Sequence, residues 1–238
     1  MPYFLHENLF HDFITLSAEE SKHIIKSMRL KEGVNICITD GKGTLVKAII
    51  SDIVKNNCNI EIIERYFYNK STQKQLHLAV SPTKNPDRME WLIEKAVEIG
   101  VSEISFIICD RSERKKMDLN RLHRIAIAAL KQSKGVWLPE IKIIDFLQFV
   151  NEYNEIFADK FIAYCEEKTQ AINLSQIEYL HNNSCFLIGP EGDFTPHEVH
   201  FAKEKGFQQI FLGEKTLRTE TAALFIICCF AQANQIIF

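Results

Sequence analysis

The sequence lacks a long hydrophobic run, a secretory leader and paired cysteines. Its longest apolar stretch, Ala222 to Ala231, is far shorter than the roughly 20 residues that a membrane-spanning helix needs. The first residues, MPYFLHENLF, contain no basic start and no small-residue cleavage site. The seven cysteines are odd in number and show no CxxC spacing, which indicates reduced and mostly buried thiols. These absences predict a cytoplasmic protein.

The chain also lacks a positive net charge, a metal-binding spacing and the common nucleotide-binding motifs. A net charge of -3 and a pI near 6.3 mean that any binding of nucleic acid must depend on local basic patches. The eight histidines show no metal-ligand spacing with cysteine or carboxylate side chains, so we predict no metal site. No GxGxxG follows a strand and no Walker loop is present, which argues against a nucleotide-dependent oxidoreductase.

The N-terminal part shows the signals of a small β-barrel. Ser17 to Glu20 is spaced as a capping box that starts a helix, which we expect to run to about Arg29. Short β-rich runs follow, broken by turns at residues 40–43 and 56–57, and these runs are Val34 to Thr39, Leu45 to Ile53 and Asn59 to Phe67. Several strands without intervening helices predict a barrel. The polar stretch from Tyr68 to Gln75 is the expected linker.

Beyond the linker, apolar strands alternate with helices, which is typical of an α/β fold with a mainly parallel sheet. The expected strands are Leu76 to Ser81, Ile104 to Cys109, Phe161 to Cys165, Cys185 to Ile188 and Gln209 to Leu212. The expected helices are Asp87 to Ile99, Leu119 to Lys134, Asp145 to Asn151, Pro196 to Lys205 and Glu220 to Asn234.

The first stretch that carries chemistry is the loop after the strand that ends at Ile188. It reads Gly-Pro-Glu-Gly at residues 189–192, and a helix begins at Thr195 with Glu198 completing a capping box. Ligands of open α/β sheets bind at the carboxyl ends of strands, and glycines permit a close approach of the backbone. An ordinary tight turn with a capped helix accounts for this stretch equally well.

The second stretch, residues 211–223, is again a strand, a glycine-containing loop and a helix. Arg218 and Glu220 stand at the junction. Such an arginine is more often a surface ion-pair partner than a catalytic group. Two such junctions in succession in one α/β domain favour a shared ligand site.

These two stretches resemble the ribosomal RNA uridine-N3 methyltransferases of the SPOUT superfamily. Members typically show a Gly-Pro-Glu-Gly loop and a Leu-Gly-x-x-x-Leu-Arg-x-Glu-Thr-Ala stretch, which match residues 189–192 and 212–222. The resemblance extends over nearly the whole chain. Its further matches are His23, Arg29, Gly33, residues 40–43, Lys84, Glu94 to Ala96, Glu98, Gly100, Val101, Arg111, Ser112, Gln132, Ser133 and Pro139.

The resemblance implies an α/β protein of two domains that works as a homodimer. A PUA-like β-barrel, residues 1–70, would bind RNA, and a second domain, residues 71–238, would hold S-adenosylmethionine in a deep trefoil knot. By position, the stronger candidates for cofactor binding are Ile188, Gly189, Gly192, Leu212, Gly213, Leu217 and Arg218. Leu187 and Tyr164 to Glu166, at neighbouring strand ends, are weaker candidates.

Two positions depart from the family's pattern. Asp193 stands where the loop often has another glycine, so we expect no glycine-only backbone conformation there. Lys134 follows Gln132 and Ser133 where an arginine is common, which weakens the case for a bidentate phosphate clamp.

The implied reaction is methyl transfer to N3 of a specific uridine in small-subunit (16S) ribosomal RNA. The sulfonium leaving group needs no acid, so the enzyme must align the reacting atoms and help the uracil imide to lose its proton. A cation beside the uracil oxygens favours the anion, and Arg218 is the first candidate. As proton acceptor we rank Glu191 first, then Glu220, then Glu198, since a first-turn carboxylate is favoured without any chemistry and Glu198 already has a capping role.

Basic residues are the expected RNA contacts, either on free RNA or within the assembled 30S particle. A solvated loop and helix face is the alternative interpretation of the densest tract. The candidates are Arg29, Lys84, Arg88, Arg111, Arg114, Lys115, Lys116, Arg121 and Arg124, and Lys22, Lys26 and Lys31 form a second patch with Arg29. A noncatalytic RNA-binding module that retains the methyltransferase fold is the alternative function.

Overall fold

The computed structural model describes residues 1–70, 74–164, 171–177 and 183–234. These residues form two compact units. The first consists of Met1–Lys70 and Ile127–Leu138, and the second of the described residues within Ser71–Ala126 and Pro139–Phe238. The domain boundary that the sequence places between residues 70 and 71 stays a prediction. Residues 71–73 of the expected linker lie outside the described residues.

The first unit is built on a five-stranded sheet in the order β1-β3-β4-β5-β2. Its strands are β1 (Tyr3–Leu5), β2 (Phe13–Thr15), β3 (Asn35–Thr39), β4 (Thr44–Val54) and β5 (Asn57–Phe67). The three predicted strands are confirmed as β3, β4 and β5, whereas β1 and β2 are too short to show a pattern. His6 Nε2 lies 3.2 Å from the Thr15 carbonyl oxygen, so the two edges of the sheet approach each other.

The N-terminal helix begins where predicted but changes its winding. Ser17 caps α1 (Ala18–Lys22) by accepting a hydrogen bond from the Glu20 N–H at 3.2 Å, and a π-helical segment (His23–Met28) continues it. Glu20 Oε1 lies 2.7 Å from Lys131 Nζ. This carboxylate therefore serves an ion pair rather than the second half of the predicted capping box.

The segment Ile127–Leu138 packs on the predicted turn at residues 40–43. The Leu138 N–H donates to the Gly41 carbonyl at 2.8 Å, and the Gly43 N–H donates to the Val136 carbonyl at 2.9 Å. A Cβ on Gly43 would lie 2.3 Å from the Trp137 ring. The glycine is thus required by a close approach of an aromatic ring.

The second unit is an α/β layer structure around a seven-stranded sheet in which every pairing is parallel. Its strands are β6 (Gln75–Val80), β7 (Glu103–Ile108), β8 (Glu140–Asp145), β9 (Asp159–Ala163), β10 (Ile172–Asn173), β11 (Asn183–Ile188) and β12 (Gln208–Phe211). The helices are α2 (Pro86–Ile99), α3 (Leu119–Ser133), α4 (Phe146–Tyr153), α5 (Pro196–Glu204) and α6 (Thr219–Ala233), and α3 belongs to the first unit from Ile127 onward. The predicted helices are confirmed. So are the predicted strands, except that Cys165 lies outside the described residues.

The strand order is β10-β12-β9-β11-β6-β7-β8, which positions the candidate site. Because β9 pairs with both β11 and β12, the carboxyl ends of these three strands lie side by side. The predicted α/β class is confirmed, and the trefoil knot stays a prediction. Within the described ranges, no helix is both long and apolar enough to cross a membrane.

Candidate functional site

A cavity of about 440 Å³ opens at the carboxyl ends of β9, β11 and β12. Its lining comes from residues 163–164, from residues 188–191 and 193, and from residues 210–219 with Ala222. We call residues 189–194 the first corner and residues 212–219 the second corner. Two stretches that are separate in sequence therefore contribute to one cavity.

The first corner is a tight turn closed over a buried phenylalanine. A Cβ on Gly189 would lie 3.1 Å from the Phe194 ring, a close contact that favours glycine at this position. The Asp193 N–H donates to the Pro190 carbonyl at 2.9 Å, and Asp193 has φ 59°. Asp193 therefore has a left-handed φ that glycine favours but that aspartate tolerates better than most residues, so the position is not restricted to glycine.

The second corner is held to the first by one buried hydrogen bond. Thr219 Oγ1, at the start of α6, donates to the Gly189 carbonyl at 3.0 Å. Gly213 has φ +136°, where an L side chain is strained, and no atom lies within 4 Å of an ideal Cβ there. The second corner thus presents open backbone to the cavity.

Arg218 lines the cavity and is solvent-exposed at the N-cap of α6. Its guanidinium makes no hydrogen bond or ion pair with any residue that the structure describes. The common alternative for such an arginine, a surface ion pair, is therefore not seen here. The positive charge is available to a ligand in the cavity.

The three candidate carboxylates have different environments. Glu191 lines the cavity, and its Oε1 accepts a hydrogen bond from the Lys84 N–H at 3.1 Å. Glu220 does not line it: it is 7% exposed and its Oε1 lies 3.6 Å from Arg88 Nε of α2. Glu198 is buried, and both of its carboxylate oxygens accept hydrogen bonds. It accepts bonds from the Thr195 N–H at 2.7 Å and the Asp110 N–H at 2.9 Å, which confirms the capping box.

Six of the seven stronger candidates for cofactor binding line the cavity, namely Ile188, Gly189, Leu212, Gly213, Leu217 and Arg218. Gly192 does not, and a Cβ there would meet Arg111 at 3.5 Å. Among the weaker candidates, Tyr164 lines the cavity, whereas 165–166 lie outside the described residues. Leu187 does not line it, because its side chain is fully buried in the core cluster that includes Phe194.

Sequence reasoning missed several lining residues. Ala163 is the last residue of β9, Ile210 is the last but one of β12, and Lys215 and Thr216 belong to the second corner. Their positions at strand ends, in the stretches already chosen, are the signal that would have found them.

Two buried cysteines lie in the core cluster that includes Phe194 of the first corner. Cys109 is buried at the end of β7, and burial raises the pKa of its thiol far above the ordinary value, with the nearby Glu198 carboxylate adding to the effect. Burial also raises the pKa of the Cys185 thiol in β11. Among the described residues, no group of three or more His, Cys, Asp or Glu side chains is arranged to hold a metal ion.

Most of the predicted RNA-binding cations have intramolecular partners. Arg111 Nη1 donates to the Gly192 and Phe194 carbonyls at 2.8 and 3.3 Å, and Arg114 donates twice to the Lys84 carbonyl, at 3.1 and 2.9 Å. Ion pairs join Lys84 to Glu113 at 3.1 Å, Arg121 to Glu90 at 2.7 Å and Arg88 to Glu220 at 3.6 Å.

The remaining candidates are exposed cations without such partners in the described part of the chain. Lys115, Lys116 and Arg124 belong to the second unit, and Arg29 belongs to the first. Arg29 has φ 53° and caps the π-helical segment. We therefore expect the basic tract from Arg111 to Arg124 to bind phosphate less strongly than its composition alone indicates.

Comparison with known proteins gives matches over both units. A model of an RNA methyltransferase domain matches residues 70–231, and a model of an RNA methyltransferase PUA domain matches residues 16–63. Ribosomal RNA small subunit methyltransferase E of Mesomycoplasma hyopneumoniae is 33% identical over 208 residues, which cover 85% of this chain and 87% of that protein.

Two solved structures are similar over nearly their whole length. A probable rRNA-methyltransferase from Porphyromonas gingivalis has 34% identity and a TM-score of 0.88, with 99% of each chain covered. Ribosomal RNA small subunit methyltransferase E from Neisseria gonorrhoeae, bound to S-adenosyl methionine, has 28% identity and a TM-score of 0.85, with 98% of this chain and 97% of that chain covered.

The bond between the two corners predicts a specific loss of stability. We expect Thr219→Val to lower the free energy of unfolding by about 1–3 kcal/mol, because the buried Gly189 carbonyl loses its donor. Thr216→Val, at an exposed position in the second corner, is the control and should change it by less than about 0.5 kcal/mol. Urea unfolding measures both, and equal values for the two variants would contradict the prediction.

Proposed function

The chain belongs to the ribosomal RNA small subunit methyltransferase E family, and we propose that it transfers the methyl group of S-adenosylmethionine to N3 of a uridine in small-subunit ribosomal RNA. The observation that carries the proposal is the single cavity between two glycine-containing corners joined by the Thr219–Gly189 hydrogen bond. The family resemblance of the two corners supports the choice of uridine N3.

The residues of the cavity fit S-adenosylmethionine. A volume of about 440 Å³ lies within the roughly 300–1,000 Å³ typical of ligand sites. Gly189 and Gly213 leave backbone edges accessible to a flat base, and Tyr164 and Leu217 add apolar surface. Bound there, the cofactor would supply a methyl group carried on a sulfonium. The neutral thioether that remains after transfer is a leaving group that needs no protonation.

The chain's own residues then have to activate the uracil. Arg218 is an exposed cation with no partner among the described residues, so its charge would stabilise the uracil anion at a carbonyl oxygen. Glu191 is our proton acceptor, because it lines the cavity and the Lys84 N–H fixes only one of its oxygens. Glu220 is not kept in this role, because its carboxylate lies beside Arg88 and outside the cavity lining.

The proposed RNA contacts are the exposed cations. In the second unit these are Lys115, Lys116 and Arg124, and in the first unit Arg29 lies with Lys22, Lys26 and Lys31 in the predicted second patch. The match of residues 16–63 to a PUA domain supports RNA binding by the first unit. Because the proposed substrate is ribosomal RNA, we propose a cytoplasmic location.

We also propose that the protein is a homodimer that uses the outer face of α6, within a domain that carries the trefoil knot of its family. Thr221, Phe225, Cys228 and Gln232 are exposed at helical spacing, and none of them is charged. Phe225 is 41% exposed, and Trp91 on the neighbouring α2 is 42% exposed. An uncharged helix face with an exposed aromatic side chain fits a subunit contact.

Nucleoside analysis tests the function. We expect small-subunit ribosomal RNA from cells without the gene to lack 3-methyluridine, and purified protein with S-adenosylmethionine to restore it on RNA or 30S particles from those cells. Assaying both substrates shows which form is used. Unchanged 3-methyluridine in the deletion strain contradicts the proposal, and RNA binding without methyl transfer would indicate a noncatalytic module.

Substitution tests the role of Arg218. We expect Arg218→Ala to lower kcat by about 100-fold or more, the loss typical of one donor to a developing anion, with little change in cofactor affinity. Lys215→Ala, a neighbouring cation that lines the same cavity, is the control and should retain kcat. If kcat and cofactor affinity fall together in Arg218→Ala, the residue belongs to the cofactor pocket instead.

Light scattering after gel filtration tests the dimer. The wild-type protein should have twice the 27.6 kDa mass of one chain, and Phe225→Glu should have the mass of one chain because it buries a charge in the contact. Leu147→Glu, at a 39% exposed position on α4, is the control and should stay dimeric. A wild-type monomer, or a dimeric Phe225→Glu, would refute this interface.

A further inference from the structure

We propose that the turn between β7 and α3, residues 109–114, positions the first corner for cofactor binding and that Arg111 is the residue through which it acts. We call this segment the β7–α3 turn. The inference rests on the proposed function, because it assigns the cavity to S-adenosylmethionine. It gives Arg111 and Arg114, which composition alone predicts as RNA contacts, a different role.

The β7–α3 turn is itself held rigidly. Ser112 is 5% exposed, and its Oγ accepts the Cys109 N–H at 2.8 Å and lies 2.7 Å from Ser81 Oγ. The Asp110 N–H donates to Glu198 Oε1 at 2.9 Å, at the start of α5. The turn is therefore fixed both to the end of β6 and to the helix that follows the first corner.

From this fixed turn, Arg111 reaches the first corner. Its Nη1 donates to the Gly192 carbonyl at 2.8 Å and to the Phe194 carbonyl at 3.3 Å. Its aliphatic stem lies about 3.5 Å from the Cβ position of Gly192. The Phe194 ring lies against Gly189, which lines the cavity. A change at Arg111 is thus transmitted to the cavity wall in two contacts.

Arg114 acts from the same turn on the loop that follows β6, which in turn contacts the first corner. Its Nε and Nη2 both donate to the Lys84 carbonyl, and the Lys84 N–H in turn donates to Glu191 Oε1. The two arginines therefore direct their donors at backbone carbonyls of the loops around the cavity. Lys115 and Lys116, which follow in sequence, are exposed and have no such partner in the described ranges.

Charge-assisted hydrogen bonds of this kind restrict the first corner before the cofactor arrives. Without them, the corner must be ordered during binding, and that cost reduces affinity. Loss of one such contact corresponds to about a tenfold change in a binding constant. The loss should fall on the cofactor and not on RNA, because both arginines direct donors to backbone carbonyls.

The test is calorimetric titration of the purified full-length chain with S-adenosylmethionine, combined with RNA binding at several salt concentrations. Arg111→Met keeps the aliphatic stem and removes only the donors. We expect it to raise the cofactor Kd about tenfold and to leave the RNA Kd and its salt dependence unchanged. Arg111→Lys restores a charged donor and should recover part of the affinity, which a merely structural loss would not show.

The matched control is the double variant Lys115→Ala, Lys116→Ala in the same turn region. It should weaken RNA binding and flatten its salt dependence while leaving the cofactor Kd unchanged. If Arg111→Met instead weakens RNA binding and retains the wild-type cofactor Kd, the inference is overturned and Arg111 is an RNA contact. If the wild-type protein does not bind the cofactor at all, the proposed function itself fails.

Discussion

The site depends on one buried hydrogen bond, from the hydroxyl of Thr219 to the carbonyl of Gly189. Thr219 is the first residue of α6, and Gly189 directly follows β11. In the sheet, β9 lies between β11 and β12. Parallel pairing brings the ends of these strands to one edge, and the hydrogen bond joins the corners across it. The glycines then have separate roles: Gly189 allows Phe194 to pack closely, and Gly213 leaves open backbone at a positive φ. A ligand pocket follows from backbone geometry rather than from a set of charged side chains.

Charge is used in two ways around this pocket. Arg218 faces the cavity without a described partner and is available for chemistry. Arg111 and Arg114 donate to backbone carbonyls of the neighbouring loops, where their charge strengthens the hydrogen bonds. Glu191 is drawn toward Lys84 by a single backbone N–H. The same residue type, arginine, therefore supports the pocket in two positions and faces the cavity in a third, and the direction of each side chain separates these arrangements.

Much of the architecture could be predicted because it depends on periodicity. The helices and the longer strands have apolar spacings that a sequence shows directly, and Gly100 and the Thr195 capping box mark helix ends. The missed strands β1, β2 and β10 have two or three residues, which is too short for alternation, and β8 was also missed. The packing of Ile127–Leu138 in the first unit depends on long-range contacts such as Trp137 against Gly43, which no local pattern reveals.

The candidate site was predictable in its location and less so in its details. Both corners follow strands in the sequence, and six of the seven stronger candidates for cofactor binding line the cavity. The direction of Glu220 toward Arg88 and of Arg111 toward Gly192 depends on tertiary packing, so sequence spacing could not give either. The positive φ of Asp193 could not be read from the sequence, because aspartate adopts both the ordinary and the left-handed conformations.

The central claim is that both corners form one pocket for the methyl donor. A crystal structure of the protein grown with S-adenosylhomocysteine, the demethylated product, tests it most directly. Our account predicts that the ligand contacts the backbone near Gly189 and near Gly213 at the same time. A ligand bound elsewhere, or one that touches a single corner, would contradict it.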